Sequence, residues 1–449
     1  MEKSNQKSLE EINNTVPIPE KSSYFKKLIA FSGPGALVAV GYMDPGNWIT
    51  SIQGGALYGY LLLSVILLSS LIAMLLQTMC AKLGIVTGMD LAQATKKLVG
   101  NNISFFLWII AELSIIATEI AEVIGSAIAL NLLFKIPLII GAIITIIDVF
   151  LLFILIKYGI RKIEALVFIL ITTIFFIFIY EVALANPSIK NIFSSFIPKK
   201  DILTAHVDNG ESAFFIALGI VGATIMPHNL YLHSSIIQSR KYNRFNENAI
   251  KEAIQYAKID SNIQLSFSFI INCLLLILGS ALFFGKNPDD IGRFSQLYDA
   301  LKDRDMIGMI ASSTLATLFA LALLFSGQNA TITGTLTGQI VMEGFINLKL
   351  SLWKRRMFTR MLAIIPVIFC IYFWGGRENI VENLLVYTQI FLSLSLPISM
   401  IPLLYLTSSK KTMGKFTNCL LSSILGWIST VVLLILNSQL ILETLQSIF

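Results

Sequence analysis

The sequence predicts an all-α polytopic membrane protein of eleven transmembrane helices, two of them broken near their middles. Three observations carry that expectation. The 449 residues are 55% hydrophobic and only 13% charged, with a mean hydropathy of +0.76, far from the composition of water-soluble domains. Apolar runs long enough to cross about 30 Å of hydrocarbon recur along the whole chain. Two of those runs are interrupted by proline among polar residues, at Gly41-Tyr-Met-Asp-Pro-Gly-Asn-Trp48 and at Gly222-Ala-Thr-Ile-Met-Pro-His-Asn229.

Taken in order, the spans are 28–55 (broken), 60–83, 103–133, 137–157, 163–185, 213–239 (broken), 261–285, 307–341, 361–376, 384–406 and 416–440. The first 27 residues are polar and lack a short apolar stretch followed by a small-residue cleavage site, so no removable signal is expected. An odd number of spans puts the termini on opposite sides. With the N-terminus inside, the inside segments hold 24 of the 33 Lys and Arg, which predicts a cytoplasmic N-terminus and an extracellular C-terminus in the cell membrane. This asymmetry accounts for the net charge of +6 without nucleic acid. The stretches Gly88–Val99 and Asn246–Lys258 read as helices at the cytoplasmic surface. Cys80, Cys273, Cys370 and Cys419 lie in or beside apolar spans with no C-x-x-C spacing, so they read as packing residues. No separate soluble domain and no obligatory protein partner is expected.

The two interruptions carry the functional argument. A carboxylate at membrane depth costs roughly 2.5–3.5 kcal/mol on insertion scales, and irregular backbone is tolerated there only when it lines a cavity or is buried in protein. Asp44 therefore marks a functional site. Met226 lies 182 residues after Asp44, in the corresponding span of a second half. Broken helices at matching positions point to an inverted-repeat carrier with its site near the midplane. The predicted organisation is a tail over 1–27, a first repeat over 28–185, an outside loop over 186–212, a second repeat over 213–406, and a last span with the C-terminus over 407–449.

Four donors are available at the breaks: the Asp44 carboxylate, the Asn47 amide oxygen, the Met226 thioether and an unwound carbonyl such as that of Ala223. Mixed oxygen and sulfur donors suit Mn²⁺, Fe²⁺ or a similar transition metal, whereas Ca²⁺ and Mg²⁺ call for oxygen alone. Met226 by itself would read as packing, since the chain has 13 Met, but its place beside a Pro-His break favours a ligand.

In span three, Glu112, Glu119 and Glu122 are spaced by seven and three residues and so fall on one helical stripe. Such a stripe is either a proton relay or a set of buried ion pairs with Arg or Lys from another span, Arg360 being one candidate partner. His228 and His233 point to different helix faces and are not joint ligands of one metal. His228, next to the break, is the better candidate to exchange a proton with Asp44. His233 reads equally well as a core histidine. Asp148 in span four reads as a structural hydrogen-bonding carboxylate.

At the motifs Asp44-Pro-Gly-Asn47 and Met226-Pro-His228 the chain resembles the Nramp family of divalent metal transporters, of the bacterial proton-coupled manganese and iron type. Gly88-Met-Asp-Leu-Ala-Gln93, Ala121-Glu-Val-Ile-Gly-Ser126, Gly334-Thr-Leu-Thr-Gly-Gln339 and Leu394-Ser-Leu-Pro397 also resemble family segments. The resemblance implies a LeuT-like fold, a 5+5 inverted repeat with one extra helix. It implies import of Mn²⁺ or Fe²⁺, with Cd²⁺, Co²⁺ and Zn²⁺ as further cargo, by proton symport and without a resident cofactor. It also implies that Asp44, Asn47, Ala223 and Met226 ligate the metal and that Gln389 approaches it in part of the cycle. Glu119 departs from the family, which usually has Asp there, and Asn329 stands where a small Ser is common.

Other classes fit less well. A sodium-coupled amino-acid carrier would set its substrate carboxylate against Asp44. A Mg²⁺ carrier has no use for Met226. A channel conducts poorly through a site with a multidentate soft ligand. No His-Glu-x-x-His or nucleophile arrangement supports an enzyme.

Overall fold

Proline and glycine set the architecture by dividing spans one and six. The computed structural model describes residues 9–19, 22–147, 159–207, 211–285, 292–303, 311–373 and 378–448; Asp148 lies outside them. Helix α1 (Tyr24–Phe31) precedes α2 (Pro34–Gly41) and α3 (Pro45–Tyr58), the two halves of span one. Asp44 is the N-cap of α3, with φ −70° and ψ 165°, its side chain accepting from the Asn47 amide and Pro45 supplying the preset first helical position. Spans two to five follow as α4 (Leu63–Thr87), α5 (Leu91–Phe134), α6 (Leu138–Ile144) and α7 (Ile160–Ala185). Span six repeats the chemistry of span one. Helix α8 (Ala213–Thr224) ends, Met226 turns out at φ −29° and ψ 121°, and α9 (Pro227–Ile236) begins on a proline. The remaining spans are α10 (Glu247–Phe283), α11 (Ser313–Ile346), α12 (Leu352–Phe373), α13 (Glu378–Ser408) and α14 (Leu420–Ile448).

Among the described residues, nine helices are long and apolar enough to cross a membrane, the pair α8 and α9 counting as one. The interrupted first span and the fourth, whose described part is the apolar helix Leu138–Ile147, complete the eleven expected.

Several boundaries differ from the expectation for identifiable reasons. A Ser32-Gly33 turn separates α1 from α2, and Asp260 of span seven caps it, accepting from Ser32 Oγ (2.5 Å) and from the Gly33 and Gly35 amides (3.1 and 2.8 Å). The surface stretch 91–99 runs into span three through a break at Gly100, whose φ of 77° only glycine adopts freely. The charged stretch 247–258 is continuous with span seven instead of a separate surface helix. Span nine begins at Leu352, nine residues before its apolar run, because Arg355, Arg356 and Arg360 are buried against span three and do not belong to a solvated loop.

Small residues let the helices touch. A Cβ on Gly55 would lie 2.0 Å from the Leu276 carbonyl oxygen, and one on Gly279 would lie 2.3 Å from that of Ile52, so α3 and α10 meet backbone to backbone. Gly55→Val must force them apart. We expect a loss of about 1–3 kcal/mol, read as a lower thermal midpoint in detergent.

Candidate metal site

The two breaks converge. The Asn47 side-chain amide nitrogen donates across to the Ala223 carbonyl at 2.6 Å and to Asp44 Oδ1 at 3.1 Å, while the Asn47 backbone amide also donates to Asp44 Oδ1 at 2.9 Å. Because both partners of that amide are acceptors, its nitrogen must face them. It supplies positive charge between a carboxylate and a carbonyl, which is the service a cation would perform for the same two oxygens. Asp44 is fully buried, and its Oδ2 has no hydrogen-bond partner among the described residues. A buried carboxylate oxygen left in that state is costly unless it has a further role.

Met226 stands at the second break, directly before Pro227. It is fully buried, packed beside Ala117 of span three and Leu392 of span ten. Gln389 is brought in by glycine. A Cβ on Gly222 would lie 2.1 Å from the Gln389 backbone oxygen, and one on Gly46 would collide with its side-chain amide. The amide donates to Thr388 Oγ1 at 3.1 Å, and its oxygen is buried with no hydrogen-bond partner among the described residues. Among the described residues no three His, Cys, Asp or Glu side chains are grouped to hold a metal.

Supporting residues escaped the sequence reading. Asn272 of span seven donates to the Tyr42 carbonyl (3.0 Å) and to Asn47 Oδ1 (3.4 Å). Trp48 Nε1 donates to the Met43 carbonyl at 2.9 Å, and Ser326 of span eight donates to the same oxygen. The loose backbone end before Asp44 is thereby fixed from both sides. Asn272, a lone amide inside an apolar run, was the available signal.

The acidic stripe of span three takes the form of ion pairs. Arg355 Nη2 donates to both Glu112 oxygens at 2.7 and 2.8 Å. Arg356 pairs with Glu119 and, at 3.6 Å, with Glu122. Arg360 Nη1 lies 3.7 Å from Glu119 and 3.9 Å from Glu122, and Thr331 Oγ1 donates to Glu122 Oε2 at 3.0 Å. Arg360 was an expected partner; Arg355 and Arg356 were not. His228 Nδ1 meets Thr118 Oγ1 at 3.3 Å, which carries the second break to the residue before Glu119. His233 instead bonds Gln77 Oε1 at 3.0 Å, and Gln77 donates to the Tyr42 hydroxyl at 2.8 Å, so this imidazole is tied into the core.

A family model described as natural resistance-associated macrophage protein-like, Nramp, matches residues 35–443. The chain belongs to the Nramp family. Among relatives, it is 58% identical over 442 residues to the divalent metal cation transporter MntH of Staphylococcus saprophyticus, covering 98% of each chain. MntH of Staphylococcus aureus strain JH9 is also 58% identical, over 99% of this chain and 97% of its own. The Eremococcus coleocola manganese transporter, solved with an aromatic bis-isothiourea substituted compound, shares 49% identity and a TM-score of 0.89, covering 96% of this chain and 90% of its own. A nucleobase-cation-symport-1 family transporter in a closed conformation superposes at a TM-score of 0.59 with 16% identity, a likeness of fold alone. This Nramp chain therefore has the expected LeuT-like helical fold.

Proposed function

We propose that this chain is a secondary carrier importing divalent transition metal ions across the cell membrane by alternating access, with proton symport. Its membership of the Nramp family makes it a transporter of divalent metal cations and not an enzyme. Mn²⁺ is the cargo we assign first, followed by Fe²⁺, then Cd²⁺, Co²⁺ and Zn²⁺. One observation carries the reading: the Asn47 side-chain nitrogen of the first break joins Asp44 Oδ1 to the Ala223 carbonyl of the second break, the latter at 2.6 Å. An ion entering there would be held by Asp44, Asn47 turned to present its oxygen, the Ala223 carbonyl and Met226, with Gln389 closing over it. This donor set matches a transition ion better than Ca²⁺ or Mg²⁺.

Metal binding needs an ionised Asp44, so any proton held there leaves as the ion arrives. We assign the route for that proton to His228, Thr118 and the Glu119–Glu122 pairs on span three, with Arg356 and Arg360 holding the carboxylates in place. At 100 mV, inside negative, each charge gains about 2.3 kcal/mol, so a divalent ion gains about 4.6, enough for roughly a thousandfold accumulation. Proton coupling therefore adds direction and control to a driving force already sufficient. The charge asymmetry of the loops supports a cytoplasmic N-terminus.

Uptake of Mn²⁺ into proteoliposomes, with Ca²⁺ and Mg²⁺ as competitors, tests the reading. Saturable uptake resistant to both competitors is expected, and unsaturable conduction would contradict a carrier. For the proton route, Glu122→Gln and His228→Ala should lower the acidification that accompanies Mn²⁺ entry severalfold more than Mn²⁺ entry itself. Full coupling in both variants would place the path elsewhere.

A further inference from the structure

Residues 9–18 belong to a polar stretch, yet they are bound at both ends. At one end, the Leu9 amide donates to Glu343 Oε2 at 2.9 Å and Glu10 pairs with Lys349 at 2.9 Å, both beside the end of α11. At the other, the Asn14 amide donates to the Gln238 carbonyl at 3.0 Å. There Val16–Pro17 (β1) pairs in parallel with Arg240–Lys241 (β2), and the Ile18 amide donates to the Lys241 carbonyl at 3.3 Å. Leu9 and Val16 are buried in the main core, and Ile18 packs in the cluster of Phe31 and Ile237. The strap thus runs from the end of broken span six to the end of span eight. Under it lies a cavity of about 740 Å³, lined by Leu9, Ile12 and Val16 from the strap and by Ile163, Leu336 and Gln339 from spans five and eight.

We propose that residues 9–18 are a latch that holds the transport pathway closed on this face of the molecule, cytoplasmic in the orientation assigned above. Span six carries half of the candidate metal site, so motion that opens the site toward this face separates the end of α9 from the end of α11. The strap crosses that gap and cannot stay bound at both ends when the gap widens. The end that lets go is the one at Leu9 and Glu10. Each end buries one apolar side chain, Leu9 or Val16, but the ion pair at the first is half-exposed on both sides and adds little, whereas the second also has strand pairing and the packing of Ile18. The proposal rests on the transport reading.

Of the four cysteines only Cys419 is exposed, so a Cys419→Ser background suits a linking test in the full-length chain. Glu10→Cys and Lys349→Cys, joined by a short bis-maleimide, should lower Mn²⁺ uptake about tenfold or more, while each single variant treated alike keeps its uptake. Full uptake by the linked protein would overturn the latch. Uptake by the unlinked double variant reports on the transport reading separately. A second measurement needs no transport: in Leu336→Cys, adding Leu9→Asp and Val16→Asp to expel the strap should raise thiol reactivity at position 336 about tenfold. Unchanged reactivity would mean that the strap does not cover the cavity, and the proposal would fall.

Discussion

Replacing Asp44 with alanine is expected to abolish Mn²⁺ uptake while leaving the protein folded. The carboxylate is fully buried, with one oxygen engaged by Asn47 and the other without a hydrogen-bond partner among the described residues. Removing it takes away the single anionic donor among the assigned ligands, and neutral amide, carbonyl and thioether groups alone cannot repay the desolvation of a divalent ion. The fold should tolerate the loss because two terms oppose one another. Alanine loses an N-cap worth about 1 kcal/mol, but it also removes a buried charge that costs roughly 2.5–3.5 kcal/mol on insertion scales. Asp44→Asn refines the test, since it keeps a capping oxygen and lacks the charge. Both variants should show a wild-type elution profile and thermal midpoint without uptake. Retained Mn²⁺ uptake in either one would remove Asp44 from the site.

Met226→Ala should change selectivity more than rate. The buried thioether packs with Ala117 and Leu392, where it offers a soft donor that Mn²⁺ and Cd²⁺ accept and Ca²⁺ does not. Alanine leaves room for water oxygen, which suits a hard ion that takes six to eight oxygen ligands. Mn²⁺ uptake should persist, while Ca²⁺, a poor competitor for the wild type, becomes both a competitor and cargo. Continued exclusion of Ca²⁺ would show that selectivity resides elsewhere.

The breaks were legible because Pro45 and Pro227, with polar neighbours, contradict the apolar runs around them. Eleven spans and their order could be read for the same reason, since hydrocarbon thickness leaves little latitude in length. Partners across the bundle were less legible. Arg355 and Arg356 read as loop residues because Lys354, Arg355, Arg356 and Arg360 crowd seven positions, and hydropathy cannot register that three of them are neutralised by Glu112, Glu119 and Glu122. The complementary stripe on span three was the available signal. The segment 1–27 read as a polar tail; what betrays its strap is the sparse series Leu9, Ile12, Val16 and Ile18, too short to outweigh its neighbours in any window. Asn272 and Ser326 act by holding backbone carbonyls, and such contacts leave no periodicity to find.

The central claim is that the two breaks form one metal site containing a thioether. X-ray absorption at the cadmium edge on the Cd²⁺-loaded protein tests this most directly, because sulfur and oxygen scatter differently. The account predicts a single sulfur in a shell otherwise of oxygen for the wild type, and its loss in Met226→Ala. A wild-type shell of oxygen and nitrogen alone would contradict it.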